Sequence, residues 1–295
     1  MVSIYCIVVC YRPEIARVIE LCHGAIAEGA KVILVDNTEA PYLQDDKLPD
    51  GCSLVALGFN SGIAHAQNAG VVQALAAGAD ILVFFDQDSK ARPGLLKSLT
   101  GSLTVGNPEI VSPICIDDTT NIAQPAERVN EYGFATKVYG SETHTRYPVD
   151  IVISSGTAAT REVFDIAGMF DETFFIDFVD TEWCLRCRSK NIPIYVIPTA
   201  VMRHTIGFGY VRVGPFTVLL HSPARCYYQI RNCFLLFRRS HVPRIWAVRQ
   251  LLSVTLSRTL LLFFVKSRSS YLKSYLSAVR DGLKGIGGAA PRAVT

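Results

Sequence analysis

The sequence predicts an α/β domain on an open, mostly parallel sheet with flanking helices, followed by a helical C-terminal tail. Three observations support this. Apolar runs alternate with helical patterns through the first hundred residues, as in a parallel sheet joined by crossover helices. The run Ile81–Phe85 is apolar without alternation, as expected of a strand covered on both faces. The charge divides sharply: residues 216–295 hold thirteen Lys/Arg against one acid, Asp281, while residues 1–215 hold 16 basic and 25 acidic residues.

The elements follow in order. Ile4–Val9 has the composition of a buried strand. Pro13 suits the first position of a helix that Gly29 can end. Strands are predicted at Val32–Val35 and Leu54–Leu57, a helix over Ile63–Ala77 stopped by Gly78, then the strand Ile81–Phe85. Further on, Ile110–Pro113, Val149–Ser154 and Ile194–Ile197 read as strands, and Arg161–Ala167 and Thr181–Lys190 as helices. No linker divides residues 1–215.

Ile245–Val265 is mostly apolar, without Gly or Pro, and long enough to span a bilayer. Arg249, Gln250 and Arg258 interrupt it, and a central Arg costs about 2.5–3.5 kcal/mol on insertion scales. A helix lying in the interface of an anionic membrane, with its arginines reaching the headgroups, fits better than a span. Packing against the main domain or a second copy of the chain is the alternative, which leaves a homo-oligomer through these helices open. The acidic main body argues against a nucleic-acid partner. Nine cysteines, an odd number scattered through apolar segments, read as reduced thiols; Cys184 and Cys187 have no second pair to complete a zinc site. The N-terminus enters a strand directly, so a cytoplasmic location is expected.

The sharpest chemical signal is Asp86-Gln87-Asp88, directly after the strand Ile81–Phe85. Ligands of open α/β sheets bind beyond the carboxyl ends of strands. Two carboxylates there can share a divalent cation, Mg²⁺ or Mn²⁺, with phosphate oxygens and neutralise a departing diphosphate. A solvated turn with capping aspartates explains the same pair. Asp36 ends the second strand at the same edge and could accept a hydrogen bond from a nucleobase or ribose. Asn60-Ser61-Gly62 opens a helix, with small residues permitting close approach of a ligand; close packing alone explains Gly70. A dehydrogenase is disfavoured because Tyr11-Arg12-Pro13 replaces a glycine-rich turn, and the P-loop signature is absent.

The ordered set resembles family 2 glycosyltransferases of the GT-A fold, which is Rossmann-like. It comprises Tyr11, Val35-Asp36-Asn37, Asn60-x-Gly62 with Asn68-x-Gly70, Asp86-x-Asp88, Ser155-Gly156-Thr157, Gly168–Asp171, Phe174–Asp177 and Asp180–Arg186, across about residues 2–240. The Asp-Gln-Asp form, the Asp-x-Glu-Trp segment and the later Arg231-Asn232 resemble the branch that uses dTDP-L-rhamnose in building bacterial surface polysaccharides. The resemblance implies a catalytic domain over 1–215, with a donor half to about 110 and an acceptor half beyond it. The tail 216–295 is expected to be membrane-proximal on the inner face of the cell membrane, or oligomeric.

The resemblance also implies roles. Tyr11, Asp36, Asn60, Gly62, Asn68, Asp86 and Gln87 would bind the sugar nucleotide, with Asp86, Asp88 and His204 as metal contacts. Asp180 would be the catalytic base, although Val179 stands where the broad family carries Glu. Ser155, Gly156, Thr157, Trp183 and Arg231 would contact a lipid-linked saccharide acceptor. For Trp183 a core position is the plainer reading, for Arg231 an interfacial helix is an equal one, and Glu182 reads as the structural partner of Arg186 at i, i+4.

Overall fold

A computed structural model of the chain describes residues 2–40, 42–118, 120–140, 145–204, 210–213, 216–265 and 267–291, with backbone only for His204, 210–213 and 216–219. The strands are β1 (Ile4–Cys10), β2 (Lys31–Asp36), β3 (Cys52–Ala56), β4 (Ile81–Asp86), β5 (Lys90–Ala91), β6 (Ile110–Asp117), β7 (Ala126–Val129), β8 (Ala135–Val138), β9 (Tyr147–Val149), β10 (Ala158–Thr160), β11 (Ile194–His204), β12 (Tyr210–Val213) and β13 (Phe216–Leu219). The helices are α1 (Ile15–Ala27), α2 (Ile63–Ala76), α3 (Leu95–Thr100), α4 (Arg161–Ala167), α5 (Val179–Ser189), α6 (Pro223–Phe237), α7 (Arg244–Leu261) and α8 (Arg268–Lys284).

The main sheet runs β3-β2-β1-β4-β10-β6-β11-β5, with β9 also on β11. Strands β1 to β4 are parallel, β6 and β11 are parallel, and β10 lies antiparallel between β4 and β6. Alternation along β1 feeds two cores: Ile7 and Val9 face the α2, α4 and α5 side, while Cys6, Val8 and Cys10 face α1 and α3. Gly70 on α2 sits hard against β1, where an added Cβ would lie 2.4 Å from Ile7 Cγ2. Gly70→Ala is expected to cost about 1–3 kcal/mol through overpacking, read as a lower denaturant midpoint at unchanged slope.

One expectation needs correction. The strand expected over Val149–Ser154 stops at Val149, and beyond an isolated bridge at Ile151 the chain turns to enter the sheet as β10. Buried Val152 kept the apolar pattern of a strand, but Gly156, at φ +80°, reverses the chain there. The tail packs on the main domain. Leu235 and Leu236 of α6 and Trp246 and Ala247 of α7 belong to the main core, and α6, α7 and α8 share a further cluster around Tyr227, Leu261 and Tyr275. No helix among the described residues is long and apolar enough to cross a membrane.

Candidate active site at the carboxyl edge of the sheet

Strand register gathers the chemistry. Cys10 stands beside Asp36 and Val9 beside Asp86, so the parallel strands β2, β1 and β4 end together. Gln87 locks this edge: its Oε1 accepts from the Tyr11 N–H at 2.6 Å and its Nε2 donates to the Tyr11 carbonyl at 3.2 Å. The Tyr11 side chain is left exposed at the rim. The turn after β4 is tied from inside, where the Asp86 N–H donates to Ser89 Oγ and Ser155 Oγ and those hydroxyls lie 2.7 Å apart.

Beyond this edge a cleft of about 360 Å³ is lined by Asp86, Ser154, Ser155, Asp177, Asp180 and Arg225, with Gln67 and Ile63 of α2 on one wall. Asp180, in the first turn of α5, accepts from the backbone N–H of Thr181 at 2.7 Å and of Ser154 at 3.3 Å. Burial pushes its carboxyl up to about 6 against the pull of those two N–H groups, and the charges of Asp86 and Asp177 add to the rise. A carboxylate titrating there is poised as a general base. Rate is expected to rise with pH and level above about 6, falling about tenfold per unit below it, as measured in a kcat–pH profile. Because the folded state holds this proton more tightly than the unfolded one, the group's contribution to stability declines as pH rises from 3.8 to about 6.

The approach to α5 is unusual backbone. Phe175, Asp177 and Phe178 have φ of +64°, +63° and +63°, at about 1–3 kcal/mol each. Close packing holds the loop: Gly62, itself at φ +85°, leaves no room for a Cβ beside Phe175, whose carbonyl accepts from the Ile63 N–H at 2.7 Å. From the other side Arg225 places its guanidinium on the Asp177 carboxylate at 3.1–3.2 Å.

The structure sorts the expected site residues. Asp86, Asp180 and Ser155 come together at the cleft. Asn60 accepts from the Gly62 N–H and from Asn37 Nδ2, which shapes the loop opening α2. Asp36 is turned inward, accepting the N–H groups of Thr38, Tyr42 and Leu43; it moulds the 37–43 loop in place of presenting a free carboxylate. The Asn68 amide is used on Phe170 and Glu172 in a buried brace. Gly156 and Thr157 are buried scaffold, the Thr157 hydroxyl donating to the Ile153 carbonyl. Trp183 is core, stacked on Phe164, packed on Phe170 and donating to the Gly168 carbonyl. Arg231 is wholly buried and donates to the carbonyls of Thr173, Phe174 and Gly288. The side chain of His204 lies outside the described residues; its backbone pairs with Asp117 at the end of β11.

Glu182 forms the expected structural pair, buried and accepting from Nε and Nη2 of Arg186 at 3.0 and 2.8 Å. Sequence reasoning gave no role to Gln67, Ser154 or Asp177. Asp177 lay inside a quoted motif, but nothing in spacing showed which of its neighbours would face the cleft.

Asp86 and Asp88 supply only carboxylate oxygens, a hard set that suits Mg²⁺ or Mn²⁺. No group of three His, Cys, Asp or Glu among the described residues forms a complete cage. Asp86 lines the cleft and Asp88 follows two residues on, a pair that fits a cation taking its other ligands from substrate phosphates and water.

No family model matches the chain. Among curated proteins it is 38% identical over 288 residues, 97% of each chain, to the dTDP-rhamnosyl transferase RfbF of Shigella flexneri. Among solved structures it is similar to residues 1–349 of S. aureus TarS in complex with UDP-GlcNAc, with a TM-score of 0.56 and 15% identity over 96% of this chain and 81% of that one. It is also similar to GalNAc-T7 with UDP, GalNAc and Mn²⁺, with a TM-score of 0.56 and 12% identity over 70% of this chain and 44% of that one. The fold with its carboxylates at one sheet edge, and a relative matched almost end to end, place the chain in the dTDP-rhamnosyl transferase branch of the GT-A glycosyltransferases, enzymes of sugar-nucleotide-dependent glycosyl transfer.

Proposed function

We propose that the chain transfers L-rhamnose from dTDP-L-rhamnose to a lipid-linked saccharide, with inversion, in the synthesis of a cell-surface polysaccharide. The observation that carries the reading is the shared cleft of Asp86 and Asp180, one at the end of β4 and the other at the start of α5. The nucleotide lies along the edge formed by Tyr11, the 37–43 loop and Asn60, with its diphosphate at Asp86 and Asp88. A divalent cation held by those two aspartates supplies charge neutralisation for the departing diphosphate. Asp180 accepts the proton of the acceptor hydroxyl as its oxygen attacks the anomeric carbon and the bond to the diphosphate breaks. One displacement inverts that carbon. The test is release of dTDP from dTDP-L-rhamnose in the presence of a lipid-linked acceptor extract, with UDP-GlcNAc and GDP-mannose as comparison donors; release from UDP-GlcNAc alone would keep the transferase and discard rhamnose.

The acceptor reading carries a membrane proposal. Ile245, Val248, Leu252 and Leu256 form an exposed stripe along α7, and Leu272, Leu276, Val279 and Leu283 form another along α8. Exposed Arg249, Arg268, Lys273, Arg280 and Lys284 flank them. Apolar stripes edged by cations suit peripheral binding to an anionic leaflet on the cytoplasmic side. The protein is expected to sediment with phosphatidylglycerol vesicles but not with phosphatidylcholine vesicles, and the double variant Leu252→Glu, Leu276→Glu is expected to stay in solution. A stable dimer in light scattering that this variant dissociates, without vesicle binding, would assign the stripes to a second copy of the chain.

A further inference from the structure

We propose that Arg231 and Asn232 of α6 are positioning residues that hold the loop leading to the base, an inference that rests on the transferase reading above. Asn232 is wholly buried, and its Nδ2 lies 2.8–2.9 Å from three carbonyls of the loop backbone, those of Phe174, Ile176 and Asp177. Its Oδ1 accepts from Arg231 Nε at 2.9 Å, which fixes which end of the amide faces the loop. Arg231 extends the grip upstream with Nη2 on the carbonyls of Thr173 and Phe174, at 3.2 and 3.0 Å. Its Nη1 donates at 2.6 Å to the Gly288 carbonyl, and the Gly288 N–H donates at 2.7 Å to Thr173, so the segment after α8 closes the same brace.

This is where the loop needs holding. The carbonyls that Asn232 gathers belong to or adjoin residues with left-handed backbone, and such conformations persist only where their surroundings over-determine them. Asp177 enters the cleft from this loop, and Asp180 follows it in the first turn of α5. The same helix, less than two turns earlier, presents Arg225 to the Asp177 carboxylate. One rigid element therefore sets the loop, the cation in the cleft and, through the loop, the base. Neither Arg231 nor Asn232 lines the cleft, so both act through other residues.

Asn232→Ala is expected to lower kcat by about 10- to 100-fold, the scale at which small misplacements of reacting groups reduce rate. Donor affinity, set by Tyr11, Asn60 and Asp86, none of which Asn232 touches, is expected to stay unchanged in calorimetry. Tyr275→Phe provides the comparison: in the same helical cluster it removes a buried hydrogen bond to the Arg258 carbonyl, 2.9 Å, and touches neither Arg231 nor Asn232, so it should lower the melting temperature without lowering kcat. A folded Asn232→Ala protein with kcat within about twofold of wild type overturns the proposal. So does a kcat loss that Tyr275→Phe reproduces at an equal loss of melting temperature. If Asn232→Ala does not fold, Arg231→Lys, which keeps the charge but loses the fork, is read against the same criteria. Absence of rhamnosyl transfer by the wild-type protein is a separate outcome and bears on the transferase reading instead.

Discussion

Asp180→Asn is expected to lower kcat by about 10²–10⁴-fold, the usual contribution of a positioned general base, with donor affinity unchanged. The substitution keeps the size of the side chain and one acceptor oxygen, so one of the two backbone N–H groups, of Thr181 or Ser154, keeps its partner. What it removes is the ability to take a proton. A carboxyl raised to about 6 is ionised at neutral pH yet basic enough to accept a hydroxyl proton as the bond to the anomeric carbon forms. The residual rate should also lose the limb below about pH 6. Retained turnover with that limb intact would remove Asp180 from the reaction and direct attention to Asp177 in the same cleft.

Asp86→Ala is expected to lower turnover by about 10³-fold or more, the several kcal/mol that charge stabilisation of a leaving diphosphate supplies. Donor binding should also cease to depend on Mg²⁺ or Mn²⁺. The turn itself is expected to survive, because its ties to Ser89 and Ser155 run through the backbone N–H of residue 86 and not its carboxylate. Asp88→Ala should behave alike if the two carboxylates share one cation. A variant that binds dTDP-L-rhamnose with undiminished metal dependence would show that the cation, if any, sits elsewhere.

Most of the parallel half of the sheet was legible because its signals are local. Ile81–Phe85 has only one reading as a doubly covered strand, and Asp86 and Asp88 must then emerge at its carboxyl end. The acceptor side was less legible. Strand β10 is three residues of Ala-Ala-Thr inserted antiparallel, too short to show a period, and its place depends on the reversal at Gly156. Trp183 and Arg231 show the same limit. A sequence marks them as large and polar-tipped, which suits both an acceptor pocket and a satisfied core. Only packing decides: Trp183 lies among Phe164 and Phe170, and the donors of Arg231 are used on main-chain carbonyls 57 and 58 residues away. Arg225, on the same helix, does reach the cleft. Asp36 differs again, since its place at the end of the second strand was legible in the sequence while its carboxylate turns into the loop that follows.

Calorimetric titration of the full chain with dTDP-L-rhamnose, UDP-GlcNAc and GDP-mannose, each with and without Mg²⁺ or Mn²⁺, tests the donor site most directly. Selective, metal-dependent binding of dTDP-L-rhamnose that is lost in Asp86→Ala is the expected result. Failure of all three donors to bind with either metal would contradict the placement of a sugar nucleotide at the carboxyl edge of this sheet.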